Sequence, residues 1–215
     1  MVKEKILITI DQDLMWEHYQ WYKKQGRIRT YPFCSRITEK IWLDKSKTKP
    51  KMTASGKSQA QKTRSRKLDE ISIKDMKYSV LSLNDLLPID SLAYKSKKEK
   101  WGQLGVWISS YYNLDNKNFT NAMIEMVVYS ATKANKDVDN IVGGSKLLND
   151  GLYVTSGMFK DDNYNYINPI LTSCDYDKEH PRLEIRITVF EDELKNCYEK
   201  TKLHSDIWKK QNKTK

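Results

Sequence analysis

Apolar and polar residues alternate along several short stretches of the chain, and a period of two is the pattern of half-buried β-strands. The alternation is clearest in residues 182–189, where Leu183, Ile185, Ile187 and Val189 are separated by polar residues. Three further stretches are predicted as strands: residues 5–10, 78–83 and 119–130. The pattern therefore predicts a small β-sheet built from distant parts of the chain.

Apolar residues at helical spacing predict helices before and between these strands. Met15, Tyr19 and Tyr22 share one face of a first helix. A second helix is predicted after a basic loop at residues 94–100, and its inward face comprises Trp101, Leu104, Ile108 and Tyr111.

Two more helices are predicted nearer the C-terminus. Ser145 is a candidate cap for a helix that begins at Lys146. The tail after residue 190 is charged and predicted to be helical, with Leu194, Tyr198 and Leu203 facing the body of the protein. Residues 163–181 are polar and predict an irregular connection between these elements.

These elements predict an α+β fold, a small mixed β-sheet with helices on one side, preceded by an N-terminal extension. The extension, residues 1–44, has no role that the sequence reveals. A basic flexible arm or linker follows at residues 45–70, the main domain at residues 71–190, and a charged C-terminal helix or tail at residues 191–215.

The net charge of the chain indicates which class of partner it binds. The 215-residue chain carries a formal net charge of +10, which favours a polyanion such as nucleic acid or an anionic membrane surface. No apolar run is long enough for a membrane span, so we expect no membrane insertion. The three cysteines lack metal-ligand spacing and predict reduced thiols, which are typical of a cytoplasmic protein.

Two basic segments are candidates for binding DNA. Residues 45–67 contain nine Lys or Arg residues and no acid, which suits an arm that follows phosphates, although a solvated linker has the same composition. Both interpretations stay open. The candidate DNA-binding residues are Lys45, Lys47, Lys49, Lys51, Arg64 and Arg66 in this segment, and Lys95, Lys97, Lys98 and Lys100 in the predicted loop before the second helix.

Two acidic motifs are candidates for a metal site. If Asp137 and Asp139 are extended, their carboxylates point to the same side of the chain. Carboxylate oxygens are the ligands that Mg²⁺ or Mn²⁺ prefers, and Asp161 or Asp162 would supply a third. Acids followed by Asn are also common turn formers, so a structural role stays open for the same residues.

The order of the motifs resembles the RusA-type Holliday junction resolvases over residues 78–190. The resemblance is carried by Asp137-Val138-Asp139-Asn140, by Lys146 with Asp150-Gly151-Leu152, and by Asp161-Asp162. It implies that Asp137, Asp139 and Asp162 bind the metal and that Lys146 is the active-site lysine. Lys146 follows Asp139 by seven residues, whereas the family's lysine follows by four. We expect the extra residues near Gly143 and Gly144 to form a bulge or turn.

The resemblance implies a Mg²⁺-dependent endonuclease, with Mn²⁺ as the alternative ion, that resolves four-way DNA junctions as a homodimer. In that family the basic loop after the first strand faces DNA, which corresponds to residues 94–100. For Asp150, a role in orienting Lys146 and a purely structural role both stay open. The alternatives are a basic DNA-binding protein without catalytic activity and a nuclease that acts on other branched DNA.

Overall fold

The computed structural model describes residues 1–25, 31–33, 38–42, 61–65, 71–76, 91–133 and 138–212. The elements, in chain order, are β1 (Val2–Ile10), α1 (Gln12–Lys24), β2 (Thr38–Trp42), β3 (Gln61–Ser65), α2 (Ser91–Tyr111), β4 (Ala122–Ser130), α3 (Val138–Asn149), β5 (Ile167–Tyr176), β6 (Arg182–Phe190) and α4 (Cys197–Asn212). The chain divides into two compact units, Met1–Leu14 with Tyr78–Lys215 and Met15–Lys77.

The first unit contains a mixed four-stranded sheet in the order β1-β6-β4-β5. β6 pairs antiparallel with both β1 and β4, whereas β4 and β5 are parallel. The strands predicted at residues 5–10, 119–130 and 182–189 are confirmed, and β1 lies within this sheet although it belongs to the predicted extension. The strand predicted at residues 78–83 lies outside the described residues.

β5 corrects the prediction of an irregular polar connection at residues 163–181. It is an edge strand, and only Ile167 among its residues is buried. An edge strand with exposed side chains does not need the apolar residues that mark a strand in the sequence, so hydrophobic periodicity missed it.

One face of the sheet is apolar and forms the core. Ile8 pairs with Ile185, and Ile124 pairs with Ile187, and all four side chains are buried. The α3 residue Asn149 contacts this face, where its side-chain nitrogen lies 3.7 Å from the Met126 sulfur.

The opposite face is polar and is covered by α4. On β6, Glu184 and Arg186 are buried and bonded to each other, and Arg186 also bonds Glu125 at 3.1 Å. His204 of α4 bonds Thr188 on this face at 2.9 Å. Helices therefore cover both faces of the sheet, and the prediction of helices on one side is wrong. The alternating pattern predicted that the polar side chains face solvent, but they are paired with one another and buried beneath α4.

The buried side of α4 also differs from the prediction. Lys200, His204 and Trp208 are buried, whereas Tyr198 is 78% exposed and Leu203 is also exposed. Residues four apart lie on one helix face, so Lys200 and Trp208 lie on the same side of α4 as His204, towards the polar face of the sheet. Sequence periodicity did not predict this side of α4, because its histidine and lysine are buried against polar residues of the sheet.

The second unit contains an aromatic cluster around His18 of α1. The ring of His18 lies 5.7 Å from that of Tyr31 and 5.6 Å from that of Phe33. Its Nδ1 lies 2.8 Å from the Tyr31 hydroxyl, which donates to the Met15 carbonyl. Burial lowers the pKa of His18 to about 3, so the ring is neutral at physiological pH.

The same unit contains an antiparallel hairpin of β2 and β3, in which Glu39 pairs with Arg64 and Ile41 with Lys62. β3 lies within the predicted arm or linker at residues 45–70. The basic stretch between the two strands is thus joined to paired strands at both of its ends, although residues 43–60 lie outside the described part.

α2 begins at Ser91 and includes the predicted basic loop at residues 94–100. Alanine, lysine and glutamate are good helix formers, and no glycine or proline interrupts the chain between Ser91 and Trp101. Among the described residues, no helix is long and apolar enough to cross a membrane.

Candidate active site

α3 begins at Val138, eight residues before the predicted start at Lys146, and continues through Gly143 and Gly144. Asp139 therefore lies in the first helical turn and is not extended as predicted. The expected bulge at the glycines is also wrong. Each glycine costs a helix about 1 kcal/mol, but the buried face formed by Ile141, Leu147 and Leu148 packs against the protein and stabilises it.

The continuous helix determines how Asp139 and Lys146 are placed. Seven residues at 3.6 residues per turn make about two turns, and four residues make about one. Asp139 and Lys146 therefore lie on the same side of α3, and a spacing of four residues would also keep them on one side.

Lys146 connects Asp150, one helical turn further along the chain, with Asp162 of the second acidic motif. Its Nζ donates a hydrogen bond to Oδ1 of Asp150 at 2.9 Å and lies 3.8 Å from Oδ2 of Asp162. The side chain of Lys146 is 65% exposed, so a ligand can reach its ammonium group from solvent. The site thus contains one accessible cation between two carboxylates.

The environment keeps Lys146 charged. The hydrogen bond to Asp150 raises the pKa of the ammonium, and the negative charges of Asp150 and Asp162 raise it further against the opposing effect of partial burial. Tyr94 of α2 also lies within electrostatic range. A lysine with a raised pKa is a cationic group for anion binding and is unsuited to act as a general base at neutral pH.

Asp150 is the first residue of a π-helical turn, Asp150–Thr155, that continues directly from α3. Such turns are rare and are found often at functional sites. The Thr155 hydroxyl donates to the backbone carbonyl of Asp150 at 3.0 Å. The end of α3 and the position of the Asp150 carboxylate are therefore set by this local change of helix geometry.

A close helix crossing holds the π-helical turn against α2. A Cβ atom on Gly151 would lie 2.1 Å from the backbone oxygen of Gly102, and one on Gly105 would lie 2.4 Å from the backbone oxygen of Leu148. Glycine is required at positions 105 and 151 because the backbones touch. The pattern of apolar residues in α2 did not indicate this role. The signal available was the spacing of Gly102 and Gly105, which places both on nearly the same helix face.

The two residues of the second acidic motif, Asp161 and Asp162, have different roles. Asp161 accepts a hydrogen bond from the backbone nitrogen of Asp162 at 2.8 Å and another from the side chain of Asn163 at 2.6 Å. Both of its carboxylate oxygens therefore stabilise the local turn. Asp162 is the member of the pair that approaches Lys146.

Carboxylates of the type that Mg²⁺ uses are present, but the predicted ligand set is not assembled in the described part of the chain. Within that part, no three His, Cys, Asp or Glu residues lie close enough together to hold a metal. Asp137 lies outside it, Asp139 is exposed in the first turn of α3, and Asp150 and Asp162 are brought together through Lys146. Mg²⁺ is often held by one or two carboxylates together with waters and substrate phosphates, and the exposed carboxylates of Asp139 and Asp162 are of this type.

The predicted DNA-binding residues fall into two groups. Lys95, Lys98 and Lys100 are exposed in the first half of α2, and Lys97 is half-buried. Because Tyr94 lies within electrostatic range of Lys146, this basic half-helix is near the candidate site. Arg64 lies in β3 of the second unit, and the remaining residues lie outside the described part, namely Lys45, Lys47, Lys49, Lys51 and Arg66.

Compared with models of known protein families and with curated protein sequences, the chain matches none. The resemblance to the RusA-type resolvases therefore depends on the motif residues alone.

Proposed function

We propose that this chain is a metal-dependent endonuclease that cuts branched DNA and acts on four-way junctions as a homodimer. The observation that supports this function most is the position of Lys146, whose ammonium lies between Asp150 and Asp162. Two motifs that are separate in the sequence, and that occur in the order of the RusA-type resolvases, meet at one exposed cation.

Asp137, Asp139 and Asp162 would hold Mg²⁺ or Mn²⁺, and Asp161 would act through the turn that places Asp162. When bound, the metal would polarise the scissile phosphate and lower the pKa of an attacking water. The protein's own contribution is to present carboxylates beside a cation, so that the negative charge of the DNA backbone meets a positive partner at the reaction centre.

Lys146 would bind a non-bridging oxygen of the scissile phosphate. Negative charge grows on the phosphate as the reaction proceeds, so a fixed ammonium stabilises the transition state more than the bound substrate. Asp150 is then a positioning residue, since its hydrogen bond limits where the flexible lysine side chain reaches.

Affinity for DNA would come from the basic half of α2 and from the basic stretch carried by the β2–β3 hairpin. Both would contact phosphates, consistent with a net charge of +10. We further propose that the protein acts in the cytoplasm with its cysteines reduced.

A specific observation favours a second candidate, a DNA-binding protein without catalytic activity. Lys146 and Asp150 form an ion pair four residues apart, which is common on solvated helices, and the described residues contain no group of three acids. In this alternative the lysines bind DNA and the acids stabilise the turns.

A cleavage assay on matched substrates decides between the candidates. The full chain is incubated with Mg²⁺ or Mn²⁺ and a four-way junction, a flap or a linear duplex of equal length, with a chelator as control. We expect metal-dependent cuts in the junction, loss of cutting for Asp162→Asn, and retention for Asp161→Asn. Binding without cutting in either metal would support the second candidate, and preferential cutting of the flap would assign a different branched substrate.

A further inference from the structure

The two edges of the main sheet are built differently. β1 forms one edge and carries Lys3, Glu4 and Lys5. The hydroxyl of Tyr112 also covers β1, because it accepts a hydrogen bond from the Thr9 nitrogen at 3.1 Å and donates one to the Thr9 carbonyl at 3.0 Å. Charged residues and covered backbone groups are the usual means by which proteins prevent an edge strand from pairing.

β5 forms the other edge and has few such protective features, apart from Pro169 near its start, which has no backbone N–H to donate. It has no charged residue from Ile167 to Cys174, and its first charge is Asp175. Ile170 is 46% exposed and Leu171 is 39% exposed, although their side chains point to opposite faces of the sheet. Among the described residues, no strand pairs with the outer side of β5. An uncharged edge that exposes apolar side chains on both faces is a surface suited to strand pairing.

We propose that the outer edge of β5 pairs antiparallel with β5 of a second copy of this chain across a two-fold axis. The pairing would continue the sheet through both copies, with four strands from each. A two-fold interface uses the same surface on both partners, so a strand whose exposed residues are neutral meets an identical neutral strand.

Charge is the reason to choose a second copy as the occupant. Each chain carries a net charge of +10, so two copies repel wherever their lysines meet. No Lys or Arg occurs between Lys160 and Lys178, and β5 lies within this interval. The β5 edge is therefore a surface on which two copies can approach without bringing positive charges together.

The charge of Asp175 also limits the register. Two directly opposed aspartates repel, which disfavours an axis at Asp175. An axis near Thr172 would place Ile170 opposite Cys174 and Leu171 opposite Ser173, and would keep the two Asp175 side chains apart. The exposed apolar residues are then covered by neutral ones.

The inference deepens the proposed function and rests on it in one respect, since a two-fold dimer matches the symmetry of a four-way junction and of its paired cuts. The proposed site is connected to β5 by a short segment, because Asp162 precedes the strand that begins at Ile167. Pairing at β5 would therefore relate the two sites by the same two-fold axis.

Sedimentation of the full chain without DNA or metal tests the interface. Leu171→Lys places a charge on the β5 edge, and the matched control is Leu7→Lys on β1, where Leu7 is also 39% exposed. We expect a wild-type dimer, a loss of dimer affinity of roughly 30-fold or more for Leu171→Lys because the two added charges lie diagonally across the axis and repel each other, and a change of less than about threefold for Leu7→Lys. A wild-type monomer at all concentrations would overturn the inference, as would a dimer unaffected by Leu171→Lys.

A distance measurement provides a second test, in which no charge is added to the β5 edge. In a Cys34→Ser, Cys197→Ser background, a spin label on the exposed Cys174 reports on the partner strand. With the axis between residues 170 and 174, the two Cys174 Cα atoms lie within roughly 27 Å, at about 3.3 Å per residue. A dimer with a clearly longer distance would place the interface elsewhere.

The same proteins separate this inference from the proposed function. A β5-paired dimer that cuts no branched DNA would overturn the function and leave the interface intact. A monomer that cuts junctions would overturn the interface and the proposed homodimer, and would leave the metal-dependent cleavage intact.

Discussion

The ammonium of Lys146 lies 3.8 Å from a carboxylate oxygen of Asp162, and this ion pair joins α3 to the Asp161-Asp162 pair that precedes β5. The ion pair forms because Lys146, near the end of α3, lies beside the turn that precedes β5. The same lysine is also held by Asp150 one turn further along the helix. The reactivity expected of the site depends on this arrangement.

Replacing the lysine tests its proposed role in the reaction. Lys146→Ala should reduce the single-turnover cleavage rate by about two to three orders of magnitude, the usual effect of removing one group that stabilises developing charge. Junction affinity should change by less than about tenfold, since one bound phosphate is a small part of the total affinity. The measurement is single-turnover cleavage together with equilibrium binding.

Lys160→Ala is the matched control, because Lys160 is an exposed lysine next to the Asp161-Asp162 pair. Lys136, which lies outside the described residues, is tested in the same way. A Lys146→Ala protein that cuts at the wild-type rate, with either of the others inactive, would assign the active-site lysine to that other position.

Two substitutions of Asp150 separate positioning from structure. Asp150→Ala removes the hydrogen bond to Lys146 and should slow cleavage by about tenfold. Asp150→Asn retains an oxygen that accepts the bond and should restore most of the rate. The free energy of unfolding should change little in either variant, since an exposed pair four residues apart contributes about 0.3–0.5 kcal/mol. Equal loss of cleavage and stability in both variants would indicate a structural role.

The salt dependence of binding tests which lysines bind DNA. Replacing Lys95, Lys98 and Lys100 with Gln removes up to three phosphate-binding groups from α2. The slope of log K against log salt should flatten by about 0.9 for each phosphate that is no longer neutralised. Replacing Lys45, Lys47, Lys49 and Lys51 tests the basic stretch of the hairpin by the same measurement. An unchanged slope in the second set would leave that stretch as a linker.

The helix crossing predicts opposite effects for two neighbouring glycines. Gly151→Ala would place a Cβ 2.1 Å from the Gly102 carbonyl oxygen, whereas a Cβ on Gly102 meets no atom within 4 Å. We expect Gly151→Ala to reduce the free energy of unfolding by about 2 kcal/mol or more. Gly102→Ala should raise it by about 0.5–1 kcal/mol, because alanine favours the helix. Urea denaturation of both variants measures the difference, and similar effects would refute the crossing.

Burial of His18 predicts a loss of stability in acid. Its pKa is about 3 in the folded protein and near 6.5 when unfolded, so between these values the unfolded chain binds a proton that the folded protein does not. Stability from this residue is complete above pH 6.5 and decreases as the pH falls, by about 1.4 kcal/mol per pH unit. The measurement is the free energy of unfolding between pH 7 and pH 4.

His18→Gln is the control for this pH dependence, since other groups also titrate in acid. The variant should be less stable at pH 7 and should show a shallower decline in stability below pH 6. An identical slope in both proteins would show that a proton on His18 does not drive the acid sensitivity.

Much of the fold follows from local pattern. The alternation in residues 182–189 predicted β6, which is the central partner of both β1 and β4. Of the four residues predicted to form the inward face of α2, Leu104 and Ile108 are buried, whereas Trp101 is half-buried and Tyr111 is 50% exposed. These predictions succeed because burial against a core imposes a period on the sequence, and the period of a strand differs from that of a helix.

The sequence also determined which residues are candidates for the chemistry, because only certain side chains bind phosphates or divalent metals. It did not determine that Gly143 and Gly144 lie in a continuous helix, that Gly151 touches Gly102, or that Asp162 approaches Lys146. Each of these depends on packing between segments that are distant in the chain. Local preferences of about 1 kcal/mol per residue are smaller than the free energy of burying a helix face, so tertiary packing decided where α3 begins and which acids meet the lysine.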